Sequence, residues 1–288
     1  VIDGCQLFLN RHPDSNLILT GTAAERELLP AAGLDHCTFL EAVSAVVMEE
    51  NPLAAKPGRQ QTTIEAGVQY IQKNPHSVFY SAGNSGVIAL TARSLLGLQG
   101  GITLPVFAPL IPLYTGRSFL LVDAGVTANR IATGENLLTF AKMGVDFFCR
   151  FYQTDNPQVA LLNVGTEKHK GLPAHREAYQ LLTDSGLNFI GNVEPDDLLL
   201  YKADIVVTDG FTGNLVLKMM EAFSTLLHGR SGRKKSAIND LSTDFDYEKV
   251  GGAPLLGVNG RVVVGHGKST AQAICSGLEF SLKYLCIK

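Results

Sequence analysis

Four times along this chain an apolar run breaks into a short loop of small polar residues and then into a helical stretch. The segments are SVFYSAGNSGVIAL (77–90), FLLVDAGVTAN (119–129), VALLNVGTEKHKG (159–171) and DIVVTDGFTGNLVL (204–217). Continuously apolar runs suit strands buried on both faces, as in a parallel sheet covered by helices. Strands that alternate with helices in chain order give the same answer. The pattern predicts an α/β fold with a Rossmann-like, mostly parallel sheet and helices on both faces.

Strands are expected near 16–20, 77–80, 118–122, 159–163, 188–192 and 204–208, and helices over 62–73, 86–96, 136–152, 174–183, 213–227 and 269–284. In the last of these, Ala271, Ile274, Cys275, Leu278, Leu282 and Leu285 follow the 3.6-residue period of one buried face. Asn259-Gly260, between Leu255-Leu256 and Val262-Val263-Val264, reads as a tight β-hairpin turn. The chain therefore closes on a β-hairpin and a helix. The stretch 228–247 is rich in Gly, Ser, Lys and Asp, and the remainder of the chain beyond it is too short for an independent domain. A single α/β domain over 1–288, with an insertion or excursion at 228–250, is the expected organisation.

Charge and cysteine usage narrow the function. The chain carries 24 Lys+Arg against 27 Asp+Glu, a formal net charge of -3. A dedicated nucleic-acid binder normally has a strong basic excess, so no nucleic-acid partner is expected. Cys5, Cys37, Cys149, Cys275 and Cys286 are odd in number and lack zinc-knuckle or redox-dithiol spacing. They fit a reducing, cytoplasmic compartment without a disulfide framework. The longest apolar run, around 106–114, contains two prolines and is too short to span a bilayer. No basic stretch leads an apolar core at the start, so no signal peptide is expected there.

In an open α/β sheet the four loops gather at the carboxyl ends of the strands, where ligands bind. Glycines let a ligand approach the backbone, and helix N-termini present unpaired amides to an anion such as phosphate. Each loop alone reads equally as ordinary turn and capping chemistry. No Walker A loop and no GxGxxG fingerprint occurs, which disfavours an ATPase or a standard NAD enzyme. Neither a GxSxG elbow nor an HExxH zinc motif is present, and no cofactor or metal is expected. The third loop carries Glu167, Lys168, His169 and Lys170. It is either a solvated turn or a source of positive charge for phosphate or a developing oxyanion. Asn214 is either a turn residue or an oxyanion donor. His266, in GHGKS, is either part of a helix-capping turn or a site group.

The strings SAGNSG (81–86), LLNVGTEKHKG (161–171), NFIGNVE (188–194), VTDGFTGN (207–214), GGAPLLGVNG (251–260) and HGKS (266–269) resemble, in this order, the bacterial phosphate acyltransferase family PlsX. The resemblance runs from Val1 to the C-terminus. It implies a phosphotransacetylase-like fold and an enzyme that moves a fatty acyl group from acyl carrier protein to inorganic phosphate, supplying acyl phosphate for phospholipid synthesis. It also implies a homodimer and a peripheral contact with the inner face of an anionic membrane. Family motif positions assign catalysis to Lys170 and Asn214. They assign phosphate or substrate binding to Asn84, Ser85, Gly86, Asp123, Gly165, Thr166, Asp209, Thr212, Gly213 and His266.

The chain departs from the family pattern in places. The family's N-terminal strand and glycine-rich loop do not precede Val1, and the loop at 123–129 keeps Asp123 and Gly125 while its later polar positions change. The region between Asn214 and Gly251 is shorter than expected. It holds Arg230, Arg233, Lys234 and Lys235, either a solvated linker or a docking patch for an acidic carrier or lipid headgroups. Two other functions are weighed: a phosphotransacetylase acting on short acyl-CoA, and a catalytically silent membrane or carrier-protein adaptor.

Overall fold

The computed structural model describes residues 1–29, 36–48, 50, 61–113, 115–230, 250–267 and 269–287. They form two compact units, one of Val1–Gly101 with Glu248–Ile287 and the other of Ile102–Tyr247. The first opens with α1 (Ile2–Arg11), β1 (Leu17–Gly21), α2 (Ala23–Arg26), β2 (Cys37–Glu41), α3 (Thr63–Lys73), β3 (Val78–Ser81) and α4 (Ser85–Leu96). The second contains β4 (Val106–Phe107), β5 (Leu110–Pro112), β6 (Ser118–Val122), α5 (Gly134–Tyr152), β7 (Val159–Leu162), α6 (Pro173–Thr183), β8 (Phe189–Val193), α7 (Pro195–Leu199), β9 (Ile205–Val207) and α8 (Gly210–Arg230). The first unit then closes with β10 (Ala253–Leu256), β11 (Arg261–Val264) and α9 (Ala271–Leu285).

In the second unit five strands lie in the order β5-β6-β9-β7-β8. β5 is antiparallel to β6, and the remaining pairs are parallel. Leu120, Leu121, Val122, Val159, Ala160, Leu161, Ile205 and Val207 have no exposed surface. That accounts for the unbroken apolar runs, since each large side chain fully buried there contributes about 1.5–3 kcal/mol. α5 packs on β6 and β9, and α6 packs on α5 and β8. Because β6, β9, β7 and β8 point the same way, the loops that follow them share one edge of the sheet.

In the first unit β1 and β2 pair in parallel. β11 runs parallel to β3 and antiparallel to β10. α9 lies on β3 and β11, and α1 lies on α9. Cys5, Phe8, Leu9 and Cys275 are buried together, with Leu17, Leu19 and Cys37 packed against them. Burial pushes the Cys5 thiol up to about 11, so these cysteines serve as small hydrophobes.

The expected elements are present with shifted ends. α8 begins at Gly210, three residues before the expected start, because Asp209 caps it. The expected tight turn at Asn259-Gly260 is a longer connection over 257–260. Gly257, at φ +88°, makes the left-handed step there. α1, whose Ile2, Cys5, Phe8 and Leu9 share one face, and β2 were not expected. The excursion at 228–250 falls largely outside the described residues. Arg233, Lys234 and Lys235 lie there, and only the backbone of Arg230 is described.

Candidate functional site

The loop from β7 to α6 is pinned to the sheet by buried amides. Asn163, at the end of β7, accepts from the Val164 amide at 2.8 Å and donates through Nδ2 to the Lys170 carbonyl at 3.2 Å. Asn192 of β8 donates to the Glu167 carbonyl at 3.0 Å, and the Lys170 amide bonds that same carbonyl. Arg176 reaches back to the Gly171 carbonyl. Gly171 sits at φ +82°, and a Cβ there would stand 2.5 Å from Asn163 Oδ1, so only glycine fits. The loop presents Lys170, half-buried, with no carboxylate in ion-pair range among the described residues. The amides of Gly165 and Thr166 have no acceptor among the described residues.

Two further loops interlock on the same edge. Asp123 is fully buried after β6. Its carboxylate accepts from the amides of Phe107, Gly125, Val126 and Thr127 and from the Thr127 hydroxyl. Burial raises its pKa, although these donors pull the other way. Thr127 Oγ1 in turn accepts from the Gly210 amide at 3.0 Å. Asp209 caps α8, accepting from the amides of Phe211 and Thr212 and from the Thr212 hydroxyl. The Gly213 amide bonds the Asp209 carbonyl. All four amides of the first turn of α8 are therefore satisfied by protein, and that helix end is not an open anion site. Gly213 lies so close to Asp123 that a Cβ would come within 1.8 Å of its carbonyl oxygen. Asn214 rests beside Gly125, and its amide has no hydrogen-bond partner among the described residues.

His175, in the first turn of α6, stands between these loops. Its Nε2 lies 3.9 Å from Asp209 Oδ2, and its Nδ1 is buried without a partner among the described residues. Burial lowers its pKa more than Asp209 raises it, so the ring is neutral at pH 7.

Asn84, Ser85, Gly86 and His266 belong to the first unit. Asn84 caps α4 through the Val87 amide and donates to the carbonyls of Met48 and Glu50, so its side chain organises the loops. Ser85 and Gly86 begin α4 with amides that have no acceptor among the described residues. The His266 carbonyl accepts from the Ser269 amide and hydroxyl, closing the turn before α9. Among the described residues, no three His, Cys, Asp or Glu side chains gather as a metal site.

A family model described as fatty acid synthesis protein matches residues 1–287. A phosphate acyltransferase of Caldicellulosiruptor saccharolyticus is 32% identical over 297 residues, covering 97% of this chain and 88% of that protein. One from Lactobacillus acidophilus is 35% identical, covering 92% and 84%. The chain belongs to the phosphate acyltransferase family. It is thereby an enzyme of the transferase class, as the loop motifs implied. A branched-chain phosphotransacylase from Enterococcus faecalis superposes with a TM-score of 0.56 at 14% identity, covering 95% of this chain and 100% of the other. A phosphotransacetylase from Streptococcus pyogenes gives 0.55 at 16% identity, covering 77% and 67%. The fold is phosphotransacetylase-like.

Family motifs pointed to the loops but not to the residues that shape them. Asn192 sat inside NFIGNVE without a role, and Asn163 inside NVGTE. Thr127 lies where the loop departs from the family pattern, so the motif gave no reason to notice it. Nothing in the sequence marked His175, since a lone histidine early in a helix has no signature.

Proposed function

We propose that the protein transfers a long-chain fatty acyl group from acyl carrier protein to inorganic phosphate, giving acyl phosphate for phospholipid synthesis. What carries the reading is a lysine and an amide that both lack side-chain partners among the described residues: Lys170 and Asn214 stand on loops at one edge of one sheet, and His175 behind the first loop faces Asp209 of the second at 3.9 Å. Phosphate is a competent nucleophile near neutral pH, so no protein nucleophile is needed. A phosphate oxygen attacks the thioester carbonyl carbon, the carbonyl becomes an oxyanion, and the C–S bond then breaks to release the carrier thiolate. Lys170 neutralises phosphate and the growing charge, while the Asn214 amide orients phosphate or donates to the oxyanion. The amides of Gly165 and Thr166 supply further donors to phosphate. Asp123, Asp209, Thr212 and Gly213 shape the pocket, and Asn84, Ser85, Gly86 and His266 serve substrate binding.

The same reading includes a homodimer and a peripheral contact at the inner face of the membrane. In its support, α8 exposes Phe211, Leu215, Met219, Phe223 and Leu226 along one stripe, an apolar surface of the kind that seats a partner. No helix among the described residues is long and apolar enough to cross a membrane. Hydroxamate trapping of acyl phosphate tests the assignment. Product is expected with long-chain acyl carrier protein and not with acetyl-CoA. Product from acetyl-CoA alone would make the protein a phosphotransacetylase, and product from neither donor would make it an adaptor.

A further inference from the structure

Lysine carries its charge on a flexible four-carbon stem, so a lysine that meets phosphate at a fixed point needs its main chain held from outside. Two side chains do this for Lys170. Asn163 and Asn192 extend from the adjacent parallel strands β7 and β8, where Leu161 stands opposite Asn192. Both are more than nine-tenths buried. Asn163 holds the carbonyl of Lys170 itself, and Asn192 holds that of Glu167, which also accepts the Lys170 amide. The lysine is thus anchored at its own carbonyl and, through Glu167, at its own amide.

Stability alone does not explain the choice of residue at 192. Its Oδ1 is buried with no donor among the described residues, and a buried unpaired acceptor destabilises the folded state. An apolar side chain of the same size would bring no such atom. The Nδ2 bond to a carbonyl also fixes which way round the amide sits, because Oδ1 cannot face another acceptor. Near Asn163 the chain carries glycine at 171, the one residue that leaves room for this amide.

We propose that Asn192 and Asn163 are positioning residues for acyl transfer: they clamp the β7–α6 loop so that Lys170 is presented to phosphate from a rigid base. The inference rests on the role proposed for Lys170. It extends that role to the NFIGNVE motif, whose part in the chemistry is the clamp. Neither asparagine touches phosphate. Each acts through the lysine, so its loss appears in the use of phosphate before it appears in folding.

The test uses Asn192→Leu, which keeps the number and branching of side-chain heavy atoms and removes both the donor and the unpaired acceptor. Circular dichroism and thermal melting are expected to match the parent within a few degrees. The kcat/KM for phosphate is expected to fall about 10- to 100-fold, the scale of an ångström-sized misplacement, with KM for phosphate raised and KM for the acyl donor unchanged. In the Lys170→Ala background, adding Asn192→Leu is expected to change residual activity by less than about twofold, as for residues acting as one unit. If Lys170→Ala alone keeps normal activity, the underlying reading of the site fails and this inference falls with it. If Lys170→Ala is impaired but Asn192→Leu is active, or the two losses multiply, only the clamp is overturned. Should Asn192→Leu not fold, Asn163→Leu and Asn192→Ala carry the same comparison with the same criteria.

Discussion

Gly213→Ala is the sharpest test of how the loops hold Asn214. Two effects oppose each other at this position. Inside a helix alanine is favoured over glycine by about 1 kcal/mol, so helix propensity alone predicts a stabilised protein. Against it stands the close approach: the added Cβ would lie 1.8 Å from the Asp123 carbonyl oxygen and 2.8 Å from Thr208 Cγ2. Non-bonded atoms sit near about 3.5 Å, so the backbones must part by more than an ångström. The obstacle is main chain, and Asp123 is held by five hydrogen-bond donors, so the loop has little freedom to yield. Overpacking of this kind costs about 1–3 kcal/mol, at the upper end where backbone must move. The clash wins by about 2 kcal/mol, a fall in Tm of roughly 3–4 °C for a protein of this size. The following residue is Asn214, and displacing it by an ångström is expected to lower kcat/KM about 100-fold. Thermal melting and acyl phosphate formation measure the two consequences. Gly100→Ala is the control, since nothing lies within 4 Å of the new methyl. A Gly213→Ala protein that melts at or above the parent temperature with normal turnover would refute the reasoning.

Lys170→Ala and Asn214→Ala are each expected to fold normally and to lose about 100- to 1,000-fold in kcat; steady-state hydroxamate assays check this. His175→Gln is expected to flatten the dependence of Tm on pH. The folded pKa of His175 is lowered, so its contribution is full above the unfolded value of about 6.5. That contribution drains as pH falls through the folded value, because the unfolded chain takes up a proton the buried ring refuses. Melting the parent and variant between pH 8 and about pH 5 should show the parent losing more, and parallel curves would contradict it. Thiol labelling at mildly alkaline pH should modify the exposed Cys286 first, and should leave Cys5 and Cys275 untouched until the protein unfolds. Rapid loss of all five thiols in the native protein would count against the buried core.

β6, β7 and β9 were legible because burial on both faces removes polar residues from them, leaving them apolar at nearly every position, whereas the short β4 and β5, in a run broken by prolines, were not. β2 was not legible, since CTFLE leaves its first and last residues partly or wholly exposed and so dilutes the apolar signal. The start of α8 was misplaced because Gly210-Phe211-Thr212-Gly213 has the composition of a turn. Those glycines serve close packing on the Asp123 loop, a tertiary demand that local propensity does not contain. The site was half legible in the same way. Lys170 and Asn214, proposed above to meet phosphate, sit in recognisable loops and have no side-chain partner among the described residues. Asn192 and His175 face loops distant in sequence, and only the pairing of strands reveals which carbonyl or carboxylate each one meets, while Asn163 holds its own loop in a way no motif announces.

The order of strands in the first unit has a consequence for how the protein is made. β3, at Val78–Ser81, finds its parallel neighbour in β11, at Arg261–Val264, which leaves the ribosome about 180 residues later. At synthesis rates of about 5–20 residues per second, that is a wait of roughly 10–40 s. Throughout it β3 lacks the partner that covers its edge, while strands β5 to β9 are being made and can pair with one another. Chaperones that shield open strand edges should therefore engage nascent chains halted before residue 261 and release them once β11 emerges, which crosslinking on stalled ribosomes can follow. The five-stranded sheet has all of its strands once residue 207 has emerged, whereas the sheet that holds β3 can only be finished at the end.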